Sequence, residues 1–216
     1  MVMKVNEKTE KNINELTERV NSKDLLREVC DEIKLSKKSK FQYIFSSITG
    51  VSLSAILVFS NNTVTALNDT ANIFNGVAIA FVAMILSSYS IFQALLTDDF
   101  IMILIETDNN LLKISNKSFL NLIMLYLIDI ISSIVIIIVT KVMPNDWCVS
   151  SNLIISNIIA MFLISCYTIY NFLIIIEIKN FAINLYNMFN AYNIVRVLTI
   201  IENDSTEDDK DNGKKE

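Results

Sequence analysis

Asp129 is the residue with the most chemistry to offer, because it lies near the centre of Phe119–Thr140, a run otherwise almost wholly apolar. An ionised Asp at the bilayer centre costs about 2.5–3.5 kcal/mol on insertion scales. Its side chain is therefore expected to face other helices or water rather than lipid. On a helix, Tyr126 three residues before, Ser132 three after and Ser133 four after share its face. These four residues form a candidate intramembrane polar site, with no Lys, Arg or His at matching depth. Two readings follow. One is interhelical glue, a neutral, protonated Asp hydrogen-bonded to Ser or Tyr and worth about 0.6 kcal/mol, at most about 2, since desolvation without a cation favours the uncharged form. The other is a proton- or cation-responsive site in a pore.

A second constellation is repeated. A gapless shift lays Ser87–Leu95 onto Ser165–Leu173 and pairs Tyr89 with Tyr167 and Gln93 with Asn171. Each Tyr is four residues before its amide partner, so each pair shares a helix face. Both pairs are expected near the cytoplasmic ends of their spans, as interfacial anchors or as two faces that meet at an inner mouth. The same shift carries Phe41 onto Phe119, so the chain reads as one hairpin duplicated in parallel. Only the second copy has a midplane acid: Asp129 stands where the first has Val51.

The remaining inventory argues against an enzyme. The chain has no histidine, which removes His-based acid–base chemistry and His-ligated metals. Its three glycines, Gly50, Gly76 and Gly213, build neither a phosphate loop nor a dinucleotide fingerprint. No catalytic, cofactor-binding or metal-ligating set is assigned. The acidic residues Asp98, Asp99 and Glu106 read as solvated helix ends. Net charge is −5 with no basic patch interleaved with aromatics, so nucleic acid is not an expected partner. Cys30, Cys148 and Cys166 fall in three different environments, and no internal disulfide is expected.

The elements that carry these residues follow from hydropathy. Of the 216 residues, 52% are hydrophobic and 19% charged, with a single proline, Pro144. A helix needs about 20 apolar residues to cross a bilayer core, and four blocks qualify: residues 41–60, 73–97, 119–140 and 153–176. The expected fold is an all-α, four-helix integral membrane domain built of two hairpins. Residues 1–40 are expected to be a helical N-terminal region, with a stripe at Ile13, Leu16 and Val20 and an N-cap at Ser22 for a helix carrying Leu25, Leu26, Val29 and Ile33. Segments 98–118 and 177–201 read as amphipathic. In the latter, Ile178, Phe181, Leu185, Met188, Tyr192 and Val195 recur at heptad-like spacing, which suggests helix pairing within the chain or between subunits. The acidic tail 202–216 has the composition of a disordered segment. Ser46, Gly50 and Ser54 on the first span, and Gly76 and Ala80 on the second, are small residues that let helices approach closely.

Lys34, Lys37, Lys38 and Lys40 precede the first span, Lys113 and Lys117 lie between the second and third, and Lys179 follows the fourth, while the first outer loop, 61–72, has no Lys or Arg and the second contributes only Lys141. The positive-inside rule then places both termini in the cytoplasm, with the chain in the cell membrane. Ile-, Asn- and Lys-rich usage suggests a bacterial source. The layout resembles small bacterial membrane proteins of several unrelated kinds, pore-forming effectors and immunity proteins among them. The expected function is a non-enzymatic, oligomeric ion-permeable pore or membrane effector. An accessory, sensor or immunity subunit that binds another membrane protein is the second reading, and a small secondary transporter the third. Expected partners are the lipid bilayer and a second copy or another membrane protein.

Overall fold

The computed structural model describes residues 10–12, 14, 21–32, 40–97, 100–102, 111–144, 147 and 151–212. Every element among them is helical: α1 (Ser22–Glu32), α2 (Lys40–Val58), α3 (Thr63–Leu95), α4 (Leu111–Val142) and α5 (Leu153–Asn212). Helices α2 to α5 are each long and apolar enough to cross a membrane. Long runs of Ile and Leu without an interrupting proline close the backbone hydrogen bonds within each helix, as hydrocarbon demands. Four crossings return the chain to the side on which it started, here called the termini side.

Three boundaries differ from the hydropathy blocks. Helix α3 starts at Thr63, so most of the polar stretch before residue 73 is helix rather than loop, and only Phe59–Asn62 turn the chain. The reason is amphipathic packing: Ala66 and Leu67 rest on Leu57, Val58 and Ile164, while the polar residues face outward or bond other helices. Helix α4 starts at Leu111, which puts Lys113 and Lys117 on its first turns. Helix α5 is one uninterrupted rod of 60 residues, with no glycine or proline before Gly213. It runs through both the amphipathic segment and residues 202–212, a stretch whose composition alone pointed to disorder.

The dominant interfaces are α3 with α4 and α2 with α5; the helices of each hairpin touch one another far less. Between α3 and α4, Phe81 meets Tyr126 at 5.5 Å, Tyr89 meets Phe119 at 5.1 Å, and Phe92 stacks on Phe119 at 5.9 Å between ring centroids. The α2–α5 contact is closer to the backbone. A Cβ added to Gly50 would lie 2.9 Å from Ile169 Cα, so only glycine admits this approach. Ser54 there bonds Ser165, and Thr168 Oγ1 reaches the Gly50 carbonyl at 2.9 Å. Ser46, Gly50 and Ser54 are all buried on this face. Gly76 and Ala80 instead face outward, with nothing within 4 Å of the position a Cβ would take at Gly76.

A parallel duplication would relate the α2–α5 interface to the α3–α4 one. The pairing pattern fits, but the register does not. The duplicate of Gly50 against Ile169 would be Ile128 against Ile91, whereas Ile128 lies beside the level where Tyr126 meets Phe81. The two interfaces are slid by about three turns, or roughly 16 Å.

On the termini side, α1 lies against α4: Val29 is wholly buried in the main core with Leu112 and Phe119. Lys117 bonds Glu28 at 2.9 Å, a half-exposed pair worth about 0–1 kcal/mol. All six residues of the heptad-like stripe on α5, from Ile178 to Val195, pack onto this same core, with Tyr192 edge-on to Phe100 at 5.5 Å. That stripe is therefore occupied within the chain. The expected stripe at residues 13, 16 and 20, Ile33, the acidic residues 98, 99 and 106, Cys148, and the side chains of Ser22 and Cys30 lie outside the described residues.

Candidate functional site

Helix α4 carries a buried polar stripe. Tyr126, Asp129, Ser133 and Thr140 recur at three- and four-residue steps, with Ile136 as the one apolar step, and are 0%, 3%, 0% and 7% exposed. Polar side chains on the inward face of a membrane helix need partners from neighbouring helices, since lipid offers none. Two helices supply them. Asn68 of α3 donates to Thr140 Oγ1 at 2.7 Å and to the Ile137 carbonyl at 3.1 Å. Tyr167 of α5 shares a hydrogen bond with Ser133 at 2.9 Å. Tyr126 donates to the Ile174 carbonyl of α5 at 3.1 Å.

These bonds fix an antiparallel register. With Ser133 opposite Tyr167 and Tyr126 opposite Ile174, Asp129 is level with Asn171. On the other flank, Asn68 against Thr140 and Phe81 against Tyr126 place Asn75 level with Ser133. Phe74, beside Asn75, packs edge-on against Tyr167 at 5.9 Å and Phe172 at 5.7 Å, which closes α3 onto α5. Asp129 and Asn171 thus share a level of the α3–α4–α5 bundle, and Asn75 stands about one turn, roughly 6 Å, further from the termini side.

Hydrogen bonding in this layer is lopsided. Tyr126 donates to a carbonyl, Ser133 and Tyr167 share one hydrogen bond, which uses one of their two hydroxyl protons, and the Asn171 amide nitrogen donates to the Tyr167 carbonyl at 3.0 Å. Asp129 Oδ1, Asn171 Oδ1 and Asn75 Oδ1 are buried without a hydrogen-bond partner. An unmet buried polar group costs about 1–3 kcal/mol, and three lie within about one helical turn of one another.

The structure separates residues that the sequence grouped and joins others that it kept apart. Tyr126, Asp129 and Ser133 point into the layer, but Ser132 turns its hydroxyl back to the Asp129 carbonyl at 2.8 Å and is no part of it. Tyr167 and Asn171 belong to the Asp129 layer. Tyr89 and Gln93 do not: Tyr89 packs on Phe119, and the exposed Gln93 reaches Asn116 at 3.4 Å. Phe119 lies fourteen residues from Ser133 on α4, so the two Tyr faces differ in depth by about 21 Å. They do not meet, and they do not form a common inner mouth. Matching the ends of apolar blocks assumed equal depth, whereas the packing of Phe181 on Phe119 at 5.3 Å sets where α5 sits.

Three contributors escaped the sequence reading. Asn75 hides beside Gly76 in an apolar block, and Asn68 lies in what reads as loop. Glu177 lies within electrostatic reach of Tyr126 and Tyr43 and accepts a hydrogen bond from Asn180 at 3.1 Å. An Asn three or four residues from small or apolar positions is the signal for the first two; a lone acid just past an apolar run is the signal for Glu177. Among the described residues no group of three or more His, Cys, Asp or Glu side chains is placed to hold a metal. Compared with protein-family models, curated proteins and solved structures, the chain matches none of them.

Proposed function

We propose that this chain is a non-enzymatic membrane protein that forms or regulates an ion-permeable pathway, closed in the arrangement described above, with Asp129 as its central polar group. The observation that carries the reading is the continuity of polar groups along the inward face of α4 and the α3 and α5 residues beside it. From Thr140 with Asn68, through Ser133 with Tyr167 and Asn75, to Asp129 with Asn171 and then Tyr126, they recur over about 21 Å of a hydrocarbon core about 30 Å thick. Glu177 extends the series toward the termini side. A stack of polar groups at successive depths is what an ion or proton needs in order to cross. It is poor economy for a bundle that only has to hold together. Asp129 is enclosed, so conduction requires α3, α4 and α5 to separate by a small displacement. The protein works as a homo-oligomer or with a membrane partner in the cell membrane, its termini in the cytoplasm by the lysine distribution.

The test is flux. Purified protein in proteoliposomes should dissipate a monovalent cation or proton gradient faster than protein-free vesicles, and polar-to-apolar substitution at Asp129 should suppress the leak. Vesicles that stay tight with a verified, folded insertion would contradict the reading.

One observation favours the second reading, an accessory or sensor subunit. Beyond the stripe used within the chain, α5 exposes Ile183, Tyr186, Ile194, Val197, Leu198 and Ile201, an apolar surface suited to another protein. Co-purification of a distinct partner, lost on Ile194→Asp with Leu198→Asp and paired with silent vesicles, would select it.

A further inference from the structure

We propose that the central layer is a binding site for a single dehydrated alkali cation, held by the Asp129 carboxylate with the amide oxygens of Asn171 and Asn75. The inference rests on the functional reading of that layer and names the ion it recognises.

The argument is one of donors and acceptors. Three oxygens from three helices are buried, stand by register within about one helical turn of one another and accept no hydrogen bond, while the Tyr126 hydroxyl and the Asn171 amide nitrogen each donate to a backbone carbonyl and Ser133 and Tyr167 bond each other. Such a site repels anions and attracts a group that brings positive charge. Oxygen-only donors select hard cations over transition metals, which prefer imidazole or thiolate. Charge selects the valence. One carboxylate neutralises one monovalent ion, whereas a divalent ion would leave a net charge in a low-dielectric core. Tyr126, Ser133 and Tyr167 are uncharged and no Lys or Arg lies at this depth on α4 or α5; the nearest other carboxylate on α5, Glu177, stands six residues or about 9 Å from the Asp129 level by register and bonds Asn180, so the single carboxylate of the layer sets its charge. Asn and Asp oxygens also permit weak, exchangeable binding, which a permeation site needs.

The experiment uses the full chain in detergent, with its unfolding midpoint measured against NaCl and KCl, and choline chloride holding ionic strength constant. Na+ or K+ should raise the midpoint saturably over choline, by about 5 °C at a hundredfold excess over Kd. Asp129→Asn, which keeps shape and hydrogen bonding, should abolish the rise, and Asn171→Leu should shift it to at least tenfold higher salt. A midpoint indifferent to Na+ and K+ in the wild type would overturn the site, leaving only a protonated carboxyl or a bound water. So would a full cation response in Asp129→Asn, or tighter stabilisation by Ca2+ than by either monovalent ion. Flux without cation-specific stabilisation would remove this inference and keep the pathway; stabilisation with tight vesicles would do the reverse.

Discussion

Asp129 sets glue against function, and energetics distinguish them. Its hydroxyl-bearing neighbours Tyr126 and Ser133 bond other groups, and its Oδ1 bonds none. As glue it would supply about 0.6 kcal/mol, against about 1–3 kcal/mol for the unmet oxygen. In choline buffer, with no alkali ion present, Asp129→Leu is therefore expected to stabilise the bundle by about 1–3 kcal/mol while it suppresses flux. Chemical denaturation in detergent checks this; a destabilised Leu variant would make Asp129 a structural bond. Gly50 gives the opposite expectation. A Cβ there would lie 2.8 Å from Ile169 N, and overpacking of this kind costs about 1–3 kcal/mol. Gly50→Ala should lower the denaturation midpoint, whereas Gly76→Ala, on an open face, should leave it within about 0.5 kcal/mol. Asp129, Tyr126 and Ser133 were legible in the sequence because three- and four-residue spacing alone puts them on one face. The Ser132 hydroxyl was not, since spacing cannot tell a side chain aimed at a neighbour from one folded onto its own helix.

At the scale of elements, hydropathy finds helices better than it finds their ends. It locates all four spans, but it stops at polar residues that α3 and α5 carry through. Such boundaries are set by what packs beyond the apolar block: Ala66 and Leu67 on α2, and Phe181 to Val195 on the main core. The length of α5 is directly measurable. With the native cysteines replaced, spin labels at Leu163 and Leu198, both exposed, are thirty-five residues apart and should be separated by about 52 Å along a straight helix. A distribution centred below about 40 Å would mean a break between membrane and extension. The amphipathic extension was readable as a stripe in sequence; that the stripe closes on Phe119 and Phe100 in the same chain was not, because a heptad pattern does not name its partner.

For the whole molecule, the sequence suggests two hairpins and the structure interlocks them. Because α3 pairs with α4 and α2 with α5, neither hairpin buries its faces alone, and the polar layer exists only where both have assembled. Cysteines at Ser54 and Ser165, whose hydroxyls are in contact, should cross-link readily on mild oxidation. Failure to cross-link in a folded, otherwise cysteine-free protein would break the α2–α5 pairing. Periodicity within a helix predicts faces, but pairing between helices depends on close approaches such as Gly50 on Ile169, which no single helix reveals. The claim on which the rest depends is that the Asp129 layer lies on the route of the ion. The reversal potential of the reconstituted protein under a KCl gradient tests it most directly, with wild type compared to Asp129→Asn. The wild type should show cation-selective current and the variant should lose that selectivity or the current itself, whereas equal current and equal selectivity in both would contradict the account.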